Sequence, residues 1–212
     1  MATVPSLPST PLILRTVEYV RACESEPVAN HSLRTYLFAT LLAEHEGLLP
    51  SADFDPDLLF FSCVLHDLGT SPEASGTQRF EVDGADMAAK FLSDNGVGAS
   101  GVDLVWEAIA LHTSPGIAER RGVLAYLTRR GVGTDFGNGS EFVTDAQGQA
   151  IHDRYPRLQL ATSLVDEIVR HAARGAQNAP RYTIAGELVR ERGQDGRRTS
   201  LELATRASRW GE

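Results

Sequence analysis

The sequence predicts an all-α fold, and three observations support this prediction. Apolar residues recur at helical spacing along most of the chain. Several of these segments begin at a capping residue or a proline and end at a glycine. No long stretch alternates apolar and polar residues as a half-buried strand would. A chain of 212 residues with 42% hydrophobic content is long enough to bury a substantial core.

Two helices near the N-terminus are the most clearly marked. After Pro27, the segment "VANHSLRTYLFATLLAEHEG" carries leucines at every fourth position and ends at Gly47, which predicts an amphipathic helix of several turns. In "DPDLLFFSCVLHDLG", Asp55 is a suitable N-cap, Pro56 a suitable first helical residue and Gly69 a stop. This second helix is apolar on nearly all sides, so we expect it to be buried.

The rest of the chain is predicted from the same signals. We expect a loop, two short helices, a third helical segment, a Gly-rich connector with a short hairpin at "VTDAQGQA", and a long helix. These cover, in order, residues 70–84, 85–96, 102–116, 116–131, 133–151 and 155–175. The polar stretch 192–212 is predicted to be a loosely held tail or an interface arm. In domain terms, an N-terminal arm with a first helix (1–26) precedes a helical domain (27–175), and a C-terminal helix with a polar tail (176–212) follows.

Histidine and aspartate residues stand in apolar surroundings at the ends of these helices. His31 lies on the first of the two helices, and His66 and Asp67 end the second. His112 ends a later helix on its apolar stripe, and Asp135 opens the Gly-rich connector. Imidazole nitrogens and carboxylate oxygens together suit zinc, iron and manganese. A carboxylate at a helix C-terminus is unfavourable against the helix dipole, so Asp67 requires a cation. The combination predicts a metal site.

The alternatives to a metal role are ordinary ones. A single histidine on an apolar face is usually a hydrogen-bonded core residue, and this interpretation suits His45, His152 and His171. His112 could also be a core histidine. Arg120, Arg121, Arg129 and Arg130 cluster between His112 and Asp135, where they form either a solvated helix face, which we favour, or the mouth of a phosphate site.

Five segments in order resemble the HD-domain superfamily of metal-dependent hydrolases, and within it the cyanamide hydratase-like branch. They are "NHSLRTYLFA", "VLHDLGTS", "RFEVDGADMAAKFL", "VWEAIALHTSPGIA" and "GVGTDF". The resemblance implies an HD-domain helical bundle over residues 27–175. It also implies metal ligands at His31, His66, Asp67 and a final aspartate. Asp135 in "GVGTDF" matches this last position best, and Asp166 in "SLVDEIV" competes with it.

The function implied is the metal-dependent hydration of a small nitrile-type substrate, cyanamide to urea, with one divalent transition metal. Zinc is the first expectation, with iron or manganese as alternatives. Such a site lowers the pKa of a bound water from about 15.7 toward about 7. Asp67 and His112 are the predicted catalytic residues, and Thr70, Arg79 and Glu81 the predicted substrate-binding residues on the loop wall. The alternative is an HD-type phosphohydrolase acting on a nucleotide or other phosphoester, and a degenerate regulatory scaffold is a third reading.

The amino-acid composition limits the classes of partner that we expect. A net charge of −8 argues against a partner that is nucleic acid, and the single lysine, Lys90, leaves little charge for holding phosphate. No apolar run approaches the roughly 18 residues of a membrane span, and we expect no membrane partner. Cys23 and Cys63 are the only cysteines, which suits a reducing, cytoplasmic location. We expect a small-molecule substrate, and the acidic helical domain is compatible with a homo-oligomer.

Overall fold

The computed structural model describes residues 4–193 and 197–212, and within these ranges it is all helical, as the sequence predicts. Residues 1–3 of the predicted arm and 194–196 of the predicted tail lie outside the described residues. The helices are α1 (Pro11–Cys23), α2 (Glu26–Glu46), α3 (Pro56–Val64), α4 (Phe80–Asp94), α5 (Ala99–Leu111), α6 (Val123–Asp135), α7 (Asp145–Arg154), α8 (Leu160–Ala172), α9 (Ile184–Arg192) and α10 (Ser200–Ala207). None of them is long and apolar enough to cross a membrane.

Helix α2 is the central helix, and its packing against α6 positions part of the site. Gly47 ends α2 in the left-handed conformation, with φ of +71°. Gly131 on α6 lies against α2 so closely that a Cβ there would stand 2.6 Å from the carbonyl oxygen of Thr35. Only glycine permits this approach. His31 is one turn before Thr35 and Asp135 is one turn after Gly131, so the close crossing brings His31 and Asp135 together.

Helix α3 ends earlier than the sequence predicts. It stops at Val64 rather than at Gly69, Leu65 is its C-cap, and a short 3-10 turn follows at Leu68–Thr70. Gly69 contacts α4 directly, because a Cβ on it would lie 1.8 Å from the carbonyl oxygen of Phe80. This contact holds the turn after α3 against the first turn of α4. His66 and Asp67 therefore lie in a fixed turn, where neighbouring side chains need not diverge by the 100° of a helix.

Several further predictions of local structure are wrong. Helix α4 begins at Phe80, inside the predicted loop. The segment 116–131 is not one helix, because a 3-10 turn at Ala118–Arg120 and Gly122, with φ of +96°, precede α6. The predicted hairpin is α7, since Thr144 and Gln147 form a capping box that starts a helix there. Asp135 accordingly ends α6 instead of opening a connector.

The C-terminal residues are packed and not loosely held. Trp210 donates a hydrogen bond from Nε1 to the carbonyl oxygen of Thr134 at 2.7 Å, and its ring stacks on Phe38 at 5.9 Å. Arg157 donates from Nε to the carbonyl oxygen of Gly211 at 3.0 Å. The prediction of a loose tail fails because an amphipathic α10 and an aromatic anchor follow the polar residues that suggested it.

Candidate metal centre and cavity

Three of the predicted ligands converge in the interior. The Nε2 atoms of His31 and His66 lie 3.2 Å apart. Asp67 Oδ2 lies 3.1 Å from His66 Nε2 and 3.7 Å from His31 Nε2. All three residues are buried, and within the described residues they are the one group of three or more histidine, cysteine or acidic side chains that could hold a metal ion. Two ligands on a tetrahedral zinc ion are about 3.3 Å apart, so the spacing suits such an ion.

Hydrogen bonds on the far side of each ring fix which nitrogen faces the centre. His66 Nδ1 donates to the carbonyl oxygen of Cys63 at 2.8 Å, and His31 Nδ1 donates to Asp135 Oδ2 at 2.6 Å. With the proton on Nδ1, each Nε2 of the neutral rings presents a lone pair. Two lone pairs facing each other at 3.2 Å repel, unless a proton or a cation lies between them. This is the arrangement that metal-ligating histidines adopt.

The buried carboxylate of Asp67 has no lysine or arginine partner among the described residues. Its Oδ2 atom is buried and makes no hydrogen bond, and its ion-pair contacts within the described chain are with the three histidines His31, His66 and His112. Burial opposes ionisation of this carboxyl group, but the surrounding imidazoles hold its pKa below the usual value. In turn, although burial acts in the opposite direction, the Asp67 carboxylate raises the pKa of His66. A divalent cation fits this donor set of two nitrogens and one oxygen.

Asp135 lies behind His31 and not beside the other ligands. Its Oδ1 accepts a hydrogen bond from Arg34 Nε and its Oδ2 one from Arg34 Nη2, both at 2.7 Å. Arg157 Nη1 also lies 3.2 Å from Oδ1. Burial opposes ionisation, but the Arg34 guanidinium holds the pKa of Asp135 well below its usual range. Both carboxylate oxygens of Asp135 therefore already accept hydrogen bonds, from the Arg34 guanidinium and from His31 Nδ1.

Asp166, the competing candidate for the last ligand, is remote from this arrangement. Its side chain is 54% exposed and pairs with Arg192 at 2.7 Å. Neither predicted aspartate therefore joins His31, His66 and Asp67 as a fourth ligand. Asp135 contacts the outer side of the His31 ring, and Asp166 lies on the surface.

His112 faces the same centre from the end of α5. Its Nδ1 donates to the carbonyl oxygen of Ile109 at 2.7 Å, which leaves Nε2 as the acceptor, 3.7 Å from Asp67 Oδ1. Burial, followed by the nearby His66, lowers the pKa of His112 to about 4. His112 is therefore a neutral imidazole at pH 7 with its lone pair directed toward Asp67.

These residues form one end of a cavity of about 220 Å³. His31, His66, Asp67 and His112 line that end, with Thr113 beside them. The remaining wall is largely apolar and comes from α4, α6, α8, α9 and α10; its residues are Phe80, Arg129, Val132, Gly133, Phe136, Asn138, Leu164, Ile168, Ile184 and Leu201. An apolar cavity with a few convergent polar groups is the usual form of a small-molecule site.

The sequence profile of the HD domain matches residues 28–202, which include the whole histidine and aspartate cluster. The chain belongs to the HD-domain family. Enzymes of this family are metal-dependent hydrolases, and the buried group of His31, His66 and Asp67 could hold the metal ion.

This HD-domain chain is also similar to two proteins of Saccharomyces cerevisiae, named cyanamide hydratase DDI2 and cyanamide hydratase DDI3. It is 25% identical to each of them over 147 residues. The matched stretch covers 66% of this chain and 64% of each yeast protein, so the chain spans slightly less than two thirds of the length of these relatives.

None of the three predicted substrate-binding residues is among the residues that line the cavity of the HD domain. Thr70 Oγ1 donates to the carbonyl oxygen of Asp67 at 2.9 Å and so braces the turn. Glu81 accepts hydrogen bonds from Arg79 at 2.7 Å and from Thr113 at 2.6 Å. Glu81 does not line the cavity because α4 begins early, at Phe80. Phe80 then lies on the cavity wall, and Glu81 pairs with Arg79.

Sequence reasoning missed several residues of the site. The sequence predicts a helix from residue 155, but α8 begins at Leu160, so Arg157 lies in the irregular segment before it and contacts Asp135 there. Thr113 follows His112 directly, and this position next to a candidate histidine could have indicated that Thr113 belongs to the site. Arg129 was assigned to a solvated face, but it lines the cavity. Its position on α6 gave no local signal, because Asp135 follows six residues later and so lies about 120° away around the helix.

Proposed function

We propose that this HD-domain chain hydrates a small nitrile-type substrate, and that conversion of cyanamide to urea is the reaction to test first. The observation that carries the proposal is the buried group of His31, His66 and Asp67 at the end of a mostly apolar cavity. The printed names of the two yeast relatives support the choice of reaction. The cofactor we propose is one divalent transition metal, zinc first, with iron and manganese as alternatives.

His31, His66 and Asp67 would hold the ion through Nε2, Nε2 and Oδ2. When bound, a divalent cation lowers the pKa of a water molecule to about 7 and so supplies a nucleophile at neutral pH. Asp135 is proposed to orient the ring of His31 and to keep its proton on Nδ1, instead of serving as a fourth ligand. Arg34 and Arg157 fix Asp135 in that position.

His112 is proposed to move the proton, and Asp67 is a second possible acceptor. The addition of water to a nitrile forms a C–O bond and moves one water proton to the nitrogen; the second proton moves from oxygen to nitrogen as the product becomes the amide (urea, in the case of cyanamide), and no group leaves. Neutral His112 has the acceptor atom, Nε2, at the cavity end of the site. With a pKa of about 4, its protonated form would be a strong donor, which favours delivery of the proton to the substrate nitrogen.

The low number of cations at the cavity favours a nitrile over a phosphoester. Enzymes that hold phosphate usually surround it with several positive groups. Arg129 is the one arginine among the residues that line the cavity, and no lysine is among them. Hydrolysis of a nucleotide or other phosphoester by the same metal group is the alternative function.

The decisive assay measures urea released from cyanamide by protein of known metal content. We expect turnover by the wild type and a loss of about 100-fold or more in kcat for His112→Asn. His45→Asn is a matched control, because His45 lies at the outer end of α2 beside Phe142 and not at the cavity. A fully metal-loaded wild type without urea production would refute cyanamide as the substrate, absence of turnover with any nitrile would refute the proposed reaction, and phosphate release from a nucleotide panel would favour the alternative.

A further inference from the structure

The cavity is larger than cyanamide requires. Cyanamide has three heavy atoms and occupies at most about three water volumes, roughly 90 Å³. The cavity measures about 220 Å³, so more than half of it would stay unfilled. The unfilled part is bounded by aliphatic and aromatic side chains, among them Phe80, Leu164, Ile168 and Leu201. Such walls favour a substrate with an apolar body of several carbons.

Arg129 stands on the wall of this cavity without a partner. Its Nε atom is buried and makes no hydrogen bond, and none of its guanidinium nitrogens forms an ion pair with an acid in the described part of the chain. Burial lowers the pKa of Arg129, and the charge of Glu119, which forms no ion pair with it, opposes this shift only in part. A partly buried cation that no acid pairs with costs free energy, which an anionic ligand group recovers.

Four of the other five buried or partly buried arginines in the described residues pair with an acid, and the fifth, Arg130, lies over the ring of Tyr126. Arg34 and Arg157 are buried and pair with Asp135. Arg79 and Arg192 are partly buried and pair with Glu81 and Asp166. Gly133, one turn after Arg129 on α6, leaves room for the guanidinium, since a Cβ at Gly133 would lie 3.3 Å from Arg129 Nη1.

A single guanidinium is matched to a carboxylate. Its planar fork pairs with two carboxylate oxygens at once. A phosphate dianion would require more positive charge than one arginine supplies, and the other polar side chain that this wall contributes is the neutral amide of Asn138.

From the cavity size, its apolar walls and the unpaired guanidinium, we propose that the preferred substrate is an aliphatic nitrile whose far end bears a carboxylate, with Arg129 as the specificity-determining residue. The nitrile part of this statement rests on the proposed function, whereas the carboxylate part rests on Arg129 alone. The nitrile carbon faces His31, His66, Asp67 and His112, the carbon chain lies along the apolar wall, and the carboxylate pairs with Arg129.

A binding experiment tests the carboxylate part without any need for catalysis. Calorimetry measures the affinity of the metal-loaded protein for hexanoate and for its neutral isostere hexanamide. We expect hexanoate to bind more tightly, and Arg129→Gln to weaken hexanoate binding by about tenfold or more with little change for hexanamide. Arg130→Gln is the matched control, because Arg130 is the next residue of α6 and stacks over Tyr126, away from the cavity.

A kinetic experiment tests the nitrile part. The kcat/KM values for a series of ω-cyanocarboxylates are compared with those for neutral nitriles of equal length. We expect a preference for the carboxylates in the wild type and in Arg130→Gln, and a loss of that preference in Arg129→Gln.

The two parts fail separately. Hexanoate binding that does not depend on Arg129, or tighter binding of a phosphomonoester through Arg129, would overturn the inference. Arg129-dependent hexanoate binding with no turnover of any nitrile would leave the carboxylate site established and refute the proposed reaction instead.

Discussion

Asp135 Oδ2 lies 2.6 Å from His31 Nδ1, on the side of the ring opposite the centre that His66 and Asp67 share. The same carboxylate accepts both hydrogen bonds of the Arg34 fork. Asp135 therefore connects a buried ion pair to the orientation of a candidate ligand. Stability and metal binding should depend on it together.

The first prediction concerns Asp135→Asn. Removing the charge leaves the buried Arg34 uncompensated, so the free energy of unfolding should fall by about 3–5 kcal/mol. The amide also has a single acceptor oxygen for the donors of Arg34 and His31, so the hydrogen bond behind His31 should weaken and metal binding should fall by about 10–100-fold. Denaturant unfolding and a competitive chelator titration measure the two effects.

Asp166→Asn is the control for this prediction. Because Asp166 is exposed and pairs with Arg192, its replacement should change the unfolding free energy by no more than about 0.5 kcal/mol. An Asp135→Asn protein with normal stability and normal metal affinity would show that Asp135 does neither of the two things assigned to it.

The second prediction concerns Glu24, a buried acid whose Oε1 makes no hydrogen bond. Burial, reinforced by the Asp67 charge, raises the pKa of Glu24 well above its usual value. A raised folded-state pKa means that the stability contributed by the protonated form is present below the unfolded-state pKa, about 4.3, and is lost as the pH rises through the folded-state pKa. Glu24→Gln should therefore be more stable than the wild type at pH 8, by about 1 kcal/mol.

This advantage should disappear near pH 4, where Glu24 is protonated in both states. Unfolding free energies measured from pH 4 to pH 8 give the comparison. Glu18→Gln, on the exposed side of α1, should show no such trend. A Glu24→Gln protein that loses stability as the pH rises, relative to the wild type, would reverse the predicted sign.

The third prediction concerns the contact between Gly69 and α4. A methyl group on Gly69 would overlap the carbonyl oxygen of Phe80, so Gly69→Ala must displace the turn that carries His66 and Asp67. We expect a loss of about 1–3 kcal/mol of stability and a reduced metal content. Gly98→Ala has open space around its Cβ and should retain both properties. Equal metal content in the two variants would mean that the turn does not depend on this contact.

The fourth prediction concerns the C-terminal anchor. Trp210→Ala removes the stacking on Phe38 and the hydrogen bond to Thr134, and it should cost about 2–3 kcal/mol of unfolding free energy. Leu203→Ala, at an exposed position of α10, should be close to neutral. If urea unfolding followed by circular dichroism gives the same midpoint for Trp210→Ala and the wild type, the C-terminal residues do not stabilise the bundle.

The sequence predicted correctly those features that residues close together in the chain determine. The helical class, the buried helix before His66 and the convergence of His31, His66 and Asp67 follow from periodicity, capping residues and a recognisable motif order. The capping box at Thr144 was also a local signal, but the glycines around it favoured a hairpin interpretation. The division of the chain at residues 27 and 175 stays a prediction.

The rest depends on contacts between distant parts of the chain. The partner of Asp135 is Arg34, 101 residues away, and that pairing requires the α2–α6 crossing at Gly131. The position of Arg129 on the cavity wall depends on α8 and α10 closing the other side. No periodicity within α6 distinguishes a solvated arginine from one that faces a cavity formed by later helices.

Elemental analysis of the purified wild-type protein, after incubation with zinc, iron and manganese salts and removal of free ions, tests the central claim most directly. We predict about one transition-metal ion per chain, lost in His66→Ala. A folded wild-type protein that retains no ion would contradict a metal centre at His31, His66 and Asp67, and with it the proposed reaction.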